Sequence, residues 1–171
     1  MAEPTHPEGR RVVLGLGNLL NRDEGLGVHA LRALGERLGP DPGVELVDGG
    51  VLGLNLLPVV ESSSHLLVLD AVDVGGPPGA VVELGRAEIP LLQGIKLSEH
   101  QVTFQEVLGL ASVRGRLPGT LHLLGAQPGD LAVGLEVSPA VAGAIPRVVE
   151  RAVELLSRWD ATAPAPAGDG A

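Results

Sequence analysis

The chain has no cysteine and no tyrosine, and only one phenylalanine and one tryptophan among 171 residues. Without cysteine there is no disulfide framework, no thiolate metal site and no cysteine nucleophile, so any metal must be held by His, Asp and Glu. The scarcity of aromatics removes the stacking platforms on which readers of single-stranded nucleic acid depend. Basic residues are also few: 12 Lys and Arg stand against 21 Asp and Glu, a net charge of -9. A phosphate-backbone binder needs a basic face, so no nucleic-acid partner is expected. No apolar run approaches the roughly 20 residues of a membrane span, and no membrane insertion is expected. The polar, acidic opening Met1 to Arg10 is unlike a signal peptide, which makes the cytoplasm the expected location.

What the chain does have is aliphatic mass. Hydrophobic residues make up 44% of it, nearly all Leu, Val and Ala. That suffices for one core, and the length suits one domain. The expected layout is a flexible leader at residues 1–10, a single α/β domain over 11–160, and a disordered Ala/Pro-rich tail (ATAPAPAGDGA) over 161–171. A monomer is the default.

The stretch Val12 to Leu38 organises the rest. An apolar run breaks at Gly15, Gly17 and Asn18, carries Asp23 and Glu24, then settles into a helical pattern of Leu26, Leu31, Leu34 and Leu38. This reads as strand, glycine loop and helix, with Asp23 as a helix cap. Further strands are expected at Val44 to Val47, His65 to Ala71, Ala80 to Leu84 and Thr120 to Ala126. Helices are expected over Leu52 to Val60, Gln101 to Val113, and from Ser138-Pro139 to about Trp159. There Ser138 is the cap, and Pro146 kinks the helix or delays its start. Strands alternating with helices predict a mainly parallel five-stranded sheet with helices on both faces.

Glu24, Asp48 and Asp70 all come at or just after the carboxyl end of a strand, where open α/β sheets bind ligands. Three ionised acids on one rim repel each other, and a bound cation relieves that cost. Asp70 follows a strand that should be buried, so its charge wants a partner. Asp73, nearby in a loop, is expected to be solvated. Of the five histidines, only His100 sits in a loop able to fold over the strand ends. Glu24, Asp70 and His100 would make a mixed oxygen and nitrogen site suited to Ni²⁺ or Zn²⁺ with positions left open. Rival chemistries are poorly served. Gly15-x-Gly17 has Leu20 where the dinucleotide fingerprint wants its third glycine, and there is no G-x-S-x-G elbow and no H-E-x-x-H.

Together these motifs resemble the hydrogenase maturation proteases, the endopeptidases that process the large subunit of nickel-iron hydrogenases. The likeness begins at Gly15-Leu16-Gly17-Asn18-Leu19-Leu20-x-x-Asp23-Glu24-Gly25-x-Gly27-Val28. It continues through Val47-Asp48-Gly49-Gly50, Leu69-Asp70-Ala71, Lys96-Leu97-Ser98-x-His100-Gln101, Gly125-Ala126-Gln127-Pro128 and Leu135-x-x-Ser138-Pro139, covering residues 11 to 158. The resemblance implies a three-layer fold around a twisted sheet. It also implies removal of a C-terminal extension from the nickel-loaded large-subunit precursor. The metal ligands would be Glu24, Asp70 and His100, with Asp48 a further acid needed for processing. Nickel would come with the substrate, and zinc or cadmium would substitute in vitro. Either the metal polarises the scissile carbonyl or a water, or it only docks the substrate while Asp48 or a nearby carboxylate acts as general base. Two other classes stay open: a nickel-dependent checkpoint protein that binds the precursor without cutting it, and a nucleotide-dependent enzyme using the glycine loop.

Overall fold

The computed structural model describes residues 9–89 and 99–162, and the side chains of 104–161 within the second span. Residues 1–8 of the expected leader (1–10), residues 163–171 of the expected tail (161–171), the Lys96-Leu97-Ser98 stretch, and the side chains of His100 and Gln101 lie outside the described residues, while Ala161 and Thr162 continue the last helix.

Among the described residues five strands form one sheet: β1 (Arg11–Leu16), β2 (Glu45–Gly50), β3 (His65–Ala71), β4 (Val81–Gly85) and β5 (Thr120–Ala126). Their spatial order is β2-β1-β3-β5-β4. All neighbours run parallel except β4, an edge strand antiparallel to β5. The helices are α1 (Leu26–Leu38), α2 (Leu57–Ser62), α3 (Glu99–Val113) and α4 (Pro139–Thr162), with 3-10 turns at Arg22–Gly25 and Gly53–Leu56. The expected α/β sheet, its five strands and its mainly parallel order are all present.

Alternation along the central strands divides the core into two layers, because successive side chains point to opposite faces. Val13, Leu67, Leu69 and Leu124 pack with α1 and α4, including Leu34, Val148 and Trp159. Val12, Leu14, Leu66 and Val68 pack on the other face with Val60 of α2 and Phe104 and Val107 of α3. Burying each such aliphatic chain stabilises the fold by about 1.5–3 kcal/mol relative to exposure. The unbroken apolar runs Val12–Leu16 in β1 and Leu66–Leu69 in β3 are what a strand covered on both sides requires.

Two sequence expectations need adjustment. Helix α4 starts at Pro139 and continues through Pro146, so Pro146 does not delay its start. Pro146 and Ala142, whose carbonyl loses its helical partner there, are both on the solvent side, while Val141, Ala144 and Val148 hold the other face in the core. Water therefore serves the orphaned carbonyl at little cost. Helix α3 begins at Glu99, two residues earlier than expected, so His100 belongs to the first turn of a helix instead of the preceding loop.

The order of the strands sets the site. From β1 the chain crosses to β2 on one side, and β3 returns to the other side of β1. The carboxyl ends of β1 and β3 thus flank a topological switch point, the crevice where such sheets take their ligands.

Candidate active site

Glu24 follows β1 and Asp70 ends β3, one on each side of that switch point. Both are withdrawn from solvent, at 7% and 2% exposure. Packing onto the sheet explains how Glu24 gets there. A Cβ at Gly27 would lie 2.1 Å from the Leu69 carbonyl oxygen and 2.2 Å from that of Leu16. Only a residue without a side chain lets α1 start directly on the ends of β1 and β3. Gly17, at φ +128, faces the Glu24 carbonyl oxygen at 1.8 Å from where a Cβ would stand. The glycine loop therefore presses the Glu24 backbone down onto the strand ends, three residues before the Gly27 contact. No phosphate-binding role is needed to explain it.

Asp70 is placed by the β3–β5 ladder. It lies in register with Gly125, whose missing side chain leaves room for the Asp70 carbonyl oxygen. Its Oδ1 accepts the Ala71 N–H at 2.8 Å. With Leu16, Gly50, Val51, Gly53, Leu56 and Phe104 it lines a small hollow. His100 sits four residues, about one turn, before Phe104 along the α3 backbone. Among the described residues no three His, Asp or Glu side chains are grouped to hold a metal ion. The third expected ligand is His100, whose side chain is not among them.

Asp48 stands apart from this set. It lies near the end of β2 in register with Gly15, so β1 separates it from β3. Leu46 packs with the α1 layer and Val47 with the opposite one. Alternation therefore directs Asp48 to the α1 side, while Asp70 follows Leu66 and Val68 toward α3. Asp48 is exposed, and its Oδ1 accepts the Gly50 N–H at 3.1 Å.

Two polar residues that matter for this architecture gave no clear indication in the sequence. Asp23 does not cap the first helix: neither the 3-10 turn nor α1 has a side-chain cap. It is wholly buried and serves the β5–α4 connection instead. Its Oδ1 accepts the Ser138 N–H at 2.6 Å, and its Oδ2 accepts Gly129 N–H, Asp130 N–H and Ser138 Oγ–H, each at 2.8 Å. Burial alone would raise its pKa, but these donors outweigh it and hold the carboxyl below its usual range. Gln127, also buried, accepts the Val74 and Gly76 N–H groups and donates to Asp73 Oδ1 at 2.9 Å. Asp73 is therefore half-buried and bonded, where solvation was expected. The spacing of Asp23 to Ser138, 115 residues, explains why no local pattern exposes the pairing.

The rim around the site is apolar. Leu20, Leu131, Val133 and Leu135 are exposed on two loops stitched together by the Arg22 N–H to Gly134 and Gly134 N–H to Leu20 hydrogen bonds. Val51, Leu52 and Leu54 are exposed beyond β2.

A family model described as HycI, hydrogenase maturation protease, matches residues 28–155. The chain belongs to the hydrogenase maturation protease family. It is 40% identical over 158 residues to the hydrogenase expression/formation protein HupD of Rhodobacter capsulatus, covering 91% of this chain and 75% of that one. The fold is similar to the hydrogenase maturating endopeptidase HybD from E. coli, with a TM-score of 0.79, 34% identity and coverage of 87% and 93%. The HybD protease from Thermococcus kodakarensis matches with a TM-score of 0.71 at 27% identity, covering 85% and 98%.

As a hydrogenase maturation protease the chain is an endopeptidase, as its motifs implied. The switch-point crevice with its buried acids is then the place to look for its chemistry. Among the described residues no helix is long and apolar enough to cross a membrane.

Proposed function

We propose that this endopeptidase removes the C-terminal extension of a nickel-iron hydrogenase large-subunit precursor after nickel insertion, in the cytoplasm and as a monomer. Glu24, Asp70 and His100 would occupy open coordination positions on the substrate's nickel. The observation that carries the reading is the withdrawal of two acids, Glu24 and Asp70, from solvent at adjacent strand ends of the switch point. Buried carboxylates at such a place are suited to a cation. The donor chemistry agrees: a chain without cysteine offers only oxygen and nitrogen ligands and does not compete for the metal through soft thiolates.

Nickel, delivered as part of the substrate, would supply positive charge to the crevice and polarise a carbonyl or water beside it. The protein's own residues do the rest. Glu24 and Asp70 would orient the loaded segment, the exposed leucines and valines would take a protein surface, and Asp48, on the α1 side of the neighbouring strand end, would take the proton of a water attacking from that side and pass it to the leaving amine.

The test is mass spectrometry of nickel-loaded and nickel-free precursor after incubation with the protein. Loss of one discrete C-terminal peptide from the loaded sample only, abolished by His100→Ala, is the expected result. Equal cleavage of both samples would show that nickel is not read, and an intact loaded precursor from the cognate hydrogenase would overturn the proposal.

A further inference from the structure

We propose that Asp23 is a positioning residue for Glu24, locking the 3-10 turn that carries Glu24 to the connection between β5 and α4. This rests on the reading of Glu24 as a metal-holding residue. The turn Arg22–Gly25 has no side-chain cap of its own. It is held instead from two sides. On one side Gly17 admits the Glu24 carbonyl oxygen at a distance no Cβ would allow. On the other, the fully buried Asp23 carboxylate accepts four hydrogen bonds, all from residues 129–138. Main-chain bonds run parallel to this clasp: Asp23 N–H donates to Asp130 O and Arg22 N–H to Gly134 O, both at 3.0 Å. Arg22 pairs with Asp130 at 2.8 Å, a second side-chain link from the turn to the same connection.

The donors are fixed by structure elsewhere. Ser138 immediately precedes α4, and its hydroxyl lies within 3.5 Å of the Val141 N–H. Helix α4 is in turn packed across α1 and the sheet through Val141, Ala144 and Val148. Asp23 thereby transfers the rigidity of the largest helix to a four-residue turn. Three of the donors converge on Oδ2 and one on Oδ1, so an amide at this position must turn an N–H₂ toward at least one backbone N–H. Asp23→Asn keeps the volume and breaks the clasp.

The experiment titrates the full-length protein with Cd²⁺ alone by calorimetry, for wild type, Asp23→Asn, Glu24→Gln and the double variant. Cleavage of the nickel-loaded precursor is followed in parallel. Asp23→Asn should weaken cadmium binding by about 10-fold or more, as loss of an outer support of a metal ligand does. In the Glu24→Gln background the same change should matter by less than about twofold, because the effect runs through Glu24. A merely structural role would lower thermal stability while leaving cadmium affinity intact, or would weaken binding equally in both backgrounds. Either outcome overturns the proposal, as does a folded wild type that binds no cadmium. Cadmium binding without cleavage of the loaded precursor would instead sink the nickel-processing reading alone. Should Asp23→Asn fail to fold, Ser138→Ala removes one of the four donors. It should weaken cadmium binding by up to about fivefold, the equivalent of one hydrogen bond; unchanged affinity there overturns the positioning role.

Discussion

Replacing Gly27 with alanine sets two effects against each other, and the structure says which wins. Within a helix Ala is favoured over Gly by up to about 1 kcal/mol, so propensity alone predicts a more stable protein. The added Cβ, however, would stand 2.1 Å from the Leu69 carbonyl oxygen and 2.2 Å from that of Leu16. A close C···O contact is about 3.3 Å, so α1 must retreat from the sheet by roughly 1 Å. Both obstacles are main chain in the two central strands, and no flexible side chain can swing aside. Overpacking of this kind costs about 1–3 kcal/mol. The retreat also loosens Leu26, Leu31 and Leu34, which are buried in the same layer. The clash should outweigh propensity, leaving Gly27→Ala about 1–3 kcal/mol less stable with a Tm roughly 3–10 °C lower.

The chain's single tryptophan supplies the assay. Trp159 on α4 is buried in the layer that α1 shares, so its emission reports the loss of that packing in urea. Gly109→Ala is the control. It lies within α3 with nothing within 4 Å of its Cβ position, and should be more stable than wild type by up to about 1 kcal/mol. Equal or higher stability of Gly27→Ala would refute the close-approach argument. Cleavage should fall more steeply than stability, since Glu24 is carried on the segment that moves and a 1 Å misplacement can cost about 100-fold in rate.

Asp48→Asn should keep co-purification with the nickel-loaded precursor while lowering the cleavage rate about 100-fold or more, the scale of a lost general base; unchanged cleavage would remove Asp48 from the chemistry. Val133→Asp or Leu135→Asp, at positions 86% and 70% exposed, should leave Tm within about 2 °C and raise KM for the precursor, measured by peptide release at varied precursor concentration. Glu83 has its pKa held below the usual glutamate range, chiefly by its hydrogen bonds from Arg151. A depressed folded pKa gives stability that is present above the unfolded value, about 4.3, and drains away as pH falls through the folded one. Urea midpoints should therefore decline more steeply below about pH 4.3 in wild type than in Glu83→Gln, and identical slopes would refute the assignment.

The sequence was most informative where its patterns are local. The apolar runs at Val12 to Leu16 and His65 to Ala71 marked the two central strands, and Ser138-Pro139 marked the start of the last helix, because each depends on neighbouring residues alone. Asp70 stood out as an acid closing such a run and Glu24 as an acid in the loop that follows one, and the structure withdraws both from solvent. Asp23 was misread. A cap and a buried receptor for four distant donors look the same from the residues beside them, and only the fold brings residues 129–138 into reach. The separation of Asp48 from Asp70 was equally hidden: both end strands, but β1 lies between their strands and alternation sends them to different faces.

The glycines connect these observations to function. At Gly17, Gly27 and Gly125 the chain gives up a side chain where main chain meets main chain, and in each case the approaching carbonyl belongs to Glu24, to a strand end beside the crevice, or to Asp70. The main chain at both acids is thus set by backbone packing. Arg22, adjacent in sequence to Asp23 and close to Glu24, pairs with Asp130. An arginine drawn into the crevice would hold the acids equally well but would occupy the charge that an incoming cation has to find. Positioning by main-chain packing makes no such demand on Arg22. In the proposed reading, a protease that distinguishes a metal-loaded substrate from an empty one needs differential binding, and acids set at the strand ends by the main chain give the loaded substrate that advantage.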